Sequence, residues 1–353
     1  MIRRPPRSTP SNSSAASDVY KRQGKCSEHY FKQVFQLFDE KLRPEQRRSL
    51  FKVERGFMRV LVTGGSGRIG RYVVQELVEA GHHVTSIDLF PDSDSPCRTL
   101  RVDVTEAGEV YQALVSARAE AVIHLAAWAN VGMVPDTRTY GDNVQGTFNI
   151  FQACADLGIK RIIFASSAQV YGLARAPPVY VPLDEDHPLR PDNCYALSKM
   201  AGEQAANYFI ARWELTILSF RFMGVRTPVE LDIEIDRMMC DPHSGARLLW
   251  TLTDARDAAL ACRLALEAEN VASGPYNITG PRVVLSEPTS KLIKHYFGKR
   301  TEIREALPDH VSPHELFPCR KGFWISTAFL MVCFAAASGN TKIIDFHSVM
   351  TFD

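Results

Sequence analysis

The feature that most restricts how this chain can fold lies between residues 58 and 320, where short apolar runs alternate with longer stretches of helical periodicity. RVLVTG, HVTSIDL, TLRVDV, AVIHLAA, KRIIFASS and LTILSFRF read as strands. GRYVVQELVEAG, TEAGEVYQALVSAR, TYGDNVQGTFNIFQACADLG and YALSKMAGEQAANYFIARW lie between or after them and carry the spacing of helices. Repeated strand–helix–strand units with right-handed crossovers can close only as a parallel sheet with helices on both faces. The expected class is therefore α/β, a doubly wound parallel sheet with ligands at the carboxyl ends of its strands. No repeat of solenoid type interrupts the pattern.

Composition narrows the function. The 353 residues are 45% hydrophobic and 23% charged, enough for one large domain or two smaller ones. A formal net charge of +1 gives no electrostatic case for nucleic acid or a membrane surface, so the expected partner is a small molecule. The cysteines stand at 26, 97, 154, 194, 240, 262, 319 and 333, too far apart for a C-x-x-C pair or a zinc knuckle. No metal site is expected, and the spread suits a reducing cytoplasm.

Both ends differ from the middle. Residues 1–23, MIRRPPRSTPSNSSAASDVYKRQ, are rich in Arg and Ser and poor in acids. They read as translated adapter sequence, with a targeting segment as the alternative. Residues 24–57 include HYFKQVFQLFDEKL with helical spacing, but Met58 stands directly before the first strand and is the expected true start. Residues 1–57 are thus expected to lie outside the core. Residues 321–353 form an atypical apolar tail, whose uncharged stretch between Gly322 and Ala337 falls short of the roughly 20 residues a membrane helix needs. A frameshifted or intron-derived tail is expected there, with a C-terminal anchor as the alternative.

The first chemical signal is TGGSGRIG at 63–70, directly after a strand and opening a helix. Glycines at 64, 67 and 70 permit a tight turn, close approach of backbone to a pyrophosphate and tight helix–strand packing. A glycine-rich turn without ligand is the alternative. Asp88 ends the second strand, where a carboxylate can accept hydrogen bonds from an adenosine ribose diol, favouring NAD over NADP. Arg68 or Arg71 could partly offset that charge, or could simply face solvent. Asp103 follows the third strand and is placed either to meet the adenine amino group or to cap the turn before Thr105.

The second signal is YALSK at 195–199. Four-residue spacing puts Tyr195 and Lys199 on one helical face. Oxidation of a hydroxyl needs a base, and a phenol with an ordinary pKa near 10 needs a nearby cation to serve near neutrality. Lys199 and an oxidised nicotinamide could both supply it. A tyrosine and lysine so spaced can also be a surface pair.

Taken in order, TGGSGRIG, HLAA at 124–127, NVQGT at 143–147, SSAQVYG at 166–172 and YALSK resemble the extended short-chain dehydrogenases of the NAD-dependent epimerase/dehydratase family, over about residues 58–280. The resemblance implies a Rossmann-like core over 58–222 and a small substrate lobe with returning core elements over 223–320. It makes Ser167 the catalytic serine, Tyr195 the acid/base and Lys199 its partner; Ser166 and Ser167 could otherwise cap the strand end. NAD would be held by Gly64, Gly67, Arg68, Ile69, Gly70, Asp88, Asp103, Val104, Leu125, Ala126, Ala127 and Asn143, with Tyr195 and Lys199; the alanines could equally be packing.

The departures from the family pattern bear on the reaction. Dehydratases of the family commonly carry a Thr-Asp-Glu-type run where this chain has Ala168 and Gln169, which disfavours water loss. The family's Arg-x-x-Asn-Val-Tyr-Gly run is here RFMGVRT, with Gly224 in place of Asn, and the lobe that follows is short. In extent, and in EDHPLRPDNCYALSK, the chain resembles uronate-type sugar dehydrogenases. The expected activity is NAD-dependent oxidation of a sugar or sugar-acid hydroxyl, with a nucleotide-sugar epimerase that retains its cofactor as the alternative. A member that binds NAD without turnover is a third reading, against which the intact Ser–Tyr–Lys set argues. Family members resembling this chain pair through the helices at 136–158 and 193–213, which implies a homodimer.

Overall fold

The computed structural model describes residues 57–304 apart from 281, 282 and 286. The readings of residues 1–56 and of the apolar tail lie outside the described residues.

Seven parallel strands form one sheet in the order β10-β7-β5-β4-β1-β2-β3. These are β1 (Arg59–Thr63), β2 (His83–Asp88), β3 (Arg98–Arg101), β4 (Ala121–His124), β5 (Arg161–Ser167), β7 (Thr216–Phe222) and β10 (Gly274–Ile278). The chain runs outward from β1 to β3, returns to β4 beside β1, and then builds in the other direction. The doubly wound sheet expected from the sequence is therefore the observed one. Its switch point lies between β1 and β4, where loops diverge and leave a crevice at the strands' carboxyl ends.

Helices cover both faces. On one side α1 (Gly70–Glu79) packs on α7 (Ala255–Glu267), and on the other α3 (Asp136–Leu157) packs between α2 (Ala107–Ala117) and α4 (Cys194–Trp213). The apolar stripe of α1 explains its placement: Val73, Val74 and Leu77 are buried against Val60 and Val62 of β1. Each such side chain contributes at most about 1.5–3 kcal/mol relative to exposure. On the opposite face Ile150, Phe151 and Cys154 of α3 meet Leu61, Val122 and Ile162.

Beyond β7 lie β8 (Val225–Arg226), α5 (Pro228–Cys240), the short α6 (Pro242–Gly245) and β9 (Thr253–Asp254), which pairs with β8. Thr227 and Glu230 form a reciprocal capping box that fixes where α5 begins. α8 (Thr289–Phe297) packs its Leu292, Ile293 and Phe297 with Trp250 and Leu249 in a separate apolar cluster. The short pair β6 (Tyr180–Val181) and β11 (Glu302–Ile303) lies beside it. Among the described residues no helix is long and apolar enough to cross a membrane.

Candidate active site

The glycine turn is built by close approach. Gly64 follows β1 with φ +69°, and a Cβ there would lie 2.7 Å from the Ala126 backbone nitrogen of the loop after β4. A Cβ on Gly70 would lie 2.0 Å from the Gly64 carbonyl oxygen. The two positions thus draw the first turn of α1, the end of β1 and the end of β4 to within backbone contact. No side chain caps α1; the Arg71 N–H of its first turn donates to the Gly67 carbonyl at 3.1 Å, and the end of the helix faces the cavity without a side-chain acceptor.

One cavity of about 370 Å³ opens at this crevice. Gly64, Gly67, Arg68, Ile69 and Gly70 line it from the turn, Asp88 from β2, Asp103 and Val104 from the loop after β3, and Leu125, Ala126 and Ala127 from the loop after β4. Asn143 of α3, Ser167 at the end of β5, and Tyr195 and Lys199 of α4 complete it. Every residue that the sequence marked for cofactor or chemistry is therefore brought to a single cavity.

Several of these residues also hold the walls. Asp88 accepts the Ser66 and Phe90 backbone N–H groups at 3.2 and 3.0 Å. Asp103 accepts both the backbone N–H and the hydroxyl of Thr105, at 2.9 and 2.7 Å, so its turn-capping role is present while its side of the cavity stays lined. Asn143 accepts the Trp128 N–H at 2.8 Å and donates to the Ser198 hydroxyl at 3.0 Å, tying the β4 loop to the start of α4. Arg71 pairs with Asp92 at 3.0 Å and Arg68 with Glu230 at 3.4 Å, so neither faces Asp88 as a free cation.

The Tyr–Lys face depends on where α4 starts. Asn193 is its cap, accepting the Ala196 N–H at 2.8 Å, which places Tyr195 and Lys199 in the first two turns with both side chains buried. The Lys199 Nζ lies 5.7 Å from the Tyr195 ring centre and 5.2 Å from that of Phe164. Burial pulls the Lys199 ammonium down to about 7. Burial also pushes the Tyr195 phenol up, opposed by a hydrogen bond with Ser167 and by the charge of Arg68. The sequence pointed to Lys199 as the protein's cation acting on Tyr195; here the cation felt by the phenol is Arg68, and burial outweighs it. Ser167 caps the turn after β5, accepting the Gln169 N–H at 3.2 Å, and the same residue lines the cavity, so capping does not take it out of the wall.

Among the other lining residues, Trp128, Arg138 and Asp142 carried no sequence signal. Trp128 donates its indole N–H to Asp142 at 2.8 Å, and Arg138, paired with the same carboxylate at 3.0 Å, lies over the indole ring at 5.4 Å. Gln169, Phe222, Val225 and Arg226 line the end nearer the residues after β7. Gly224 lines it too, with φ +50°, a backbone that glycine and asparagine tolerate and that here carries no side chain toward the cavity. Among the described residues no group of three or more His, Cys, Asp or Glu could hold a metal ion.

The residues fit a dinucleotide. A pyrophosphate suits the uncapped helix end and glycine cradle, and a ribose diol suits the carboxylate that ends β2. A 2′-phosphate would meet Asp88 with both nearby arginines already paired.

Residues 60–279 match the family model described as the NAD dependent epimerase/dehydratase family. A UDP-glucose 4-epimerase of Lactobacillus helveticus is 34% identical over 157 residues, 42% of this chain and 46% of that protein. The chain spans about half the length of the curated relatives it matches. Among solved structures, MoeE5 in complex with UDP-glucose and NAD superposes with TM-score 0.55 at 27% identity, covering 79% of this chain and 96% of that one. A short-chain dehydrogenase/reductase superfamily protein from Agrobacterium tumefaciens with bound NAD shares the fold at TM-score 0.57 and 24% identity, over 79% and 96% of the two chains.

Proposed function

Because the chain belongs to the NAD-dependent epimerase/dehydratase family, we propose that it is an NAD-dependent oxidoreductase acting on a hydroxyl of a sugar or sugar acid, with residues 58–222 as the cofactor-binding core and 223–320 as the substrate lobe. The carrying observation is the single cavity at the sheet's switch point that Ser167, Tyr195 and Lys199 share with the glycine turn and Asp88. NAD, when bound, supplies the oxidant that takes a hydride from the substrate carbon. Gly64, Gly67, Arg68, Ile69 and Gly70 would hold its pyrophosphate, Asp88 its adenosine ribose, and Asp103, Val104, Leu125, Ala126, Ala127 and Asn143 the remaining surface.

The chain's own residues do the proton chemistry. Ser167 Oγ, anchored by the turn it caps, holds the substrate hydroxyl. Tyr195 Oη takes that hydroxyl's proton, and the buried site around it excludes water that would compete. Lys199, one helical turn from Tyr195 with its Nζ 5.7 Å from the phenol ring centre, would hold the nicotinamide ribose, while the charge of Arg68 and the Ser167 hydrogen bond favour the phenolate against burial. Ala168 and Gln169 supply no carboxyl group for elimination at the end of β5.

A second reading, a nucleotide-sugar epimerase that keeps and reuses its cofactor, is favoured by the UDP-glucose 4-epimerases among the relatives. The test mixes the full chain with NAD and, separately, uronic acids, free sugars and UDP-sugars. NADH accumulating with a free sugar or acid, and lost in Tyr195→Phe, supports the dehydrogenase; a UDP-sugar converted to its epimer without NADH supports the epimerase. Neither outcome across the panel overturns the proposal.

A further inference from the structure

Behind the cavity, α4 carries a third buried polar residue on the face of Tyr195 and Lys199. Glu203 follows Lys199 by four residues and Tyr195 by eight, so the three stack along one side of the helix. Glu203 is 5% exposed and Lys199 3%. An anion and a cation so spaced inside a protein would ordinarily pair.

They do not pair, because Glu203 is already fully engaged. Arg221 of β7 grips it with two hydrogen bonds, Nε to Oε1 at 2.9 Å and Nη2 to Oε2 at 2.6 Å. The Ser166 hydroxyl donates to Oε1 as well. The remaining guanidinium nitrogen, Nη1, donates to the Tyr171 hydroxyl and the Glu185 carbonyl, each at 2.9 Å. Tyr171 in turn donates to Asn277 at 2.6 Å. Arg221 is thus locked in a planar, two-point hold that a lysine could not reproduce.

We propose that Arg221 is a positioning residue for the reacting site: by occupying both oxygens of Glu203 it withholds that carboxylate from Lys199, leaving the Lys199 ammonium directed into the cavity beside Tyr195. The inference rests on the placement of Lys199 in the reacting site. It accounts for a costly feature, since a buried ion pair is seldom kept for stability alone. Among the described residues, the charged and titratable groups that bear on this argument are Tyr195 and Glu203, one helical turn to either side of Lys199, His124 of β4, which feels the Lys199 charge, and Arg221 of β7, which is bound to Glu203. Burial is what lowers Lys199, and His124, itself lowered by burial and by Lys199, is neutral near pH 7.

The test reads Lys199 directly in the full chain. Acetic anhydride labels only unprotonated amines, so labelling of the Lys199 peptide against pH, followed by mass spectrometry, gives the midpoint of its titration. The wild type should titrate near pH 7. Arg221→Met frees the Glu203 carboxylate to favour charged Lys199, raising the midpoint by roughly 1–2 pH units. Glu203→Gln leaves the Arg221 charge uncompensated and lowers it. The double variant removes both charges and returns the midpoint toward the wild-type value. Opposite shifts restored in the double variant support the inference; coincident midpoints, or shifts in one direction, overturn it. If Arg221→Met does not fold, a Glu203→Gln midpoint below that of the double variant supports it and equal midpoints overturn it. Protection of Lys199 from acetylation by NAD judges the site reading separately: protection failing while the midpoints diverge removes the cofactor site and leaves the role of Arg221 intact.

Discussion

Replacing Gly70 with alanine sets two effects against each other. Gly70 is the first residue of α1, and helix propensity alone favours alanine there by about 1 kcal/mol. The added Cβ, however, would lie 2.0 Å from the Gly64 carbonyl oxygen and 2.7 Å from the Gly65 Cα, both backbone atoms with no rotamer to yield. The turn and helix must separate by more than an ångström, and forced repacking of this kind costs about 1–3 kcal/mol or more. Overlap with backbone at 2.0 Å belongs at or above the upper end, so we expect a net loss of about 2 kcal/mol. For a folded region of this size that corresponds to a fall in Tm of roughly 4–8 °C. Because the separation opens the cradle itself, NAD affinity should fall by tenfold or more. Gly108→Ala is the control: it too lies in the first turn of a helix, α2, but its Cβ would meet nothing within 4 Å. That change should leave Tm equal or raise it slightly. Thermal unfolding with NAD titration of both variants checks the argument, and a Gly70→Ala protein with wild-type Tm and NAD affinity would refute it.

Tyr195→Phe should lower turnover by about 10²–10⁴-fold while leaving NAD affinity within a few-fold, as measured by parallel rate and binding assays. Asp88→Asn should weaken NAD binding by roughly tenfold and narrow the preference over NADP, since the carboxylate that repels a 2′-phosphate is lost. His124 is buried between the Thr63 and Thr147 hydroxyls, at 2.7 and 3.1 Å, and burial lowers it to about 3. Its unfolded form protonates near 6.5 and its folded form does not, so the stability it contributes is present above pH 6.5 and is lost as pH falls toward 3. By pH 5 the loss is about 2 kcal/mol. Urea titrations at pH 7 and pH 5 should show this decrement shrinking in His124→Gln; an unchanged decrement would count against the assignment.

What the sequence could disclose was whatever is local in the chain. The alternation of apolar runs and helical stretches, the glycines between β1 and α1, and the four-residue spacing of Tyr195 and Lys199 are all short-range patterns, and each leads to its observed place. β10 carried no such pattern, because GPYNI opens with glycine and proline; its edge position lets Pro275 sit in a sheet without breaking an interior ladder. The partners of Arg68 and Arg221 were illegible for another reason. Arg68 reaches Glu230 across 162 residues, and Arg221 meets a carboxylate from a different layer. Trp128 likewise gains its meaning only from Asp142 and Arg138, one turn apart on α3. Double roles were also hidden: Asp103 and Ser167 each present cap and cavity wall together, where the sequence posed these as alternatives.

Trp128 offers the most direct test of the central claim, that this cavity holds NAD, because its indole lies in the wall. NAD titrated into the full chain should change tryptophan fluorescence saturably at one equivalent, and the signal should largely disappear in Trp128→Phe while calorimetry still reports binding. No saturable binding by either method, in a protein that unfolds cooperatively, would contradict the account.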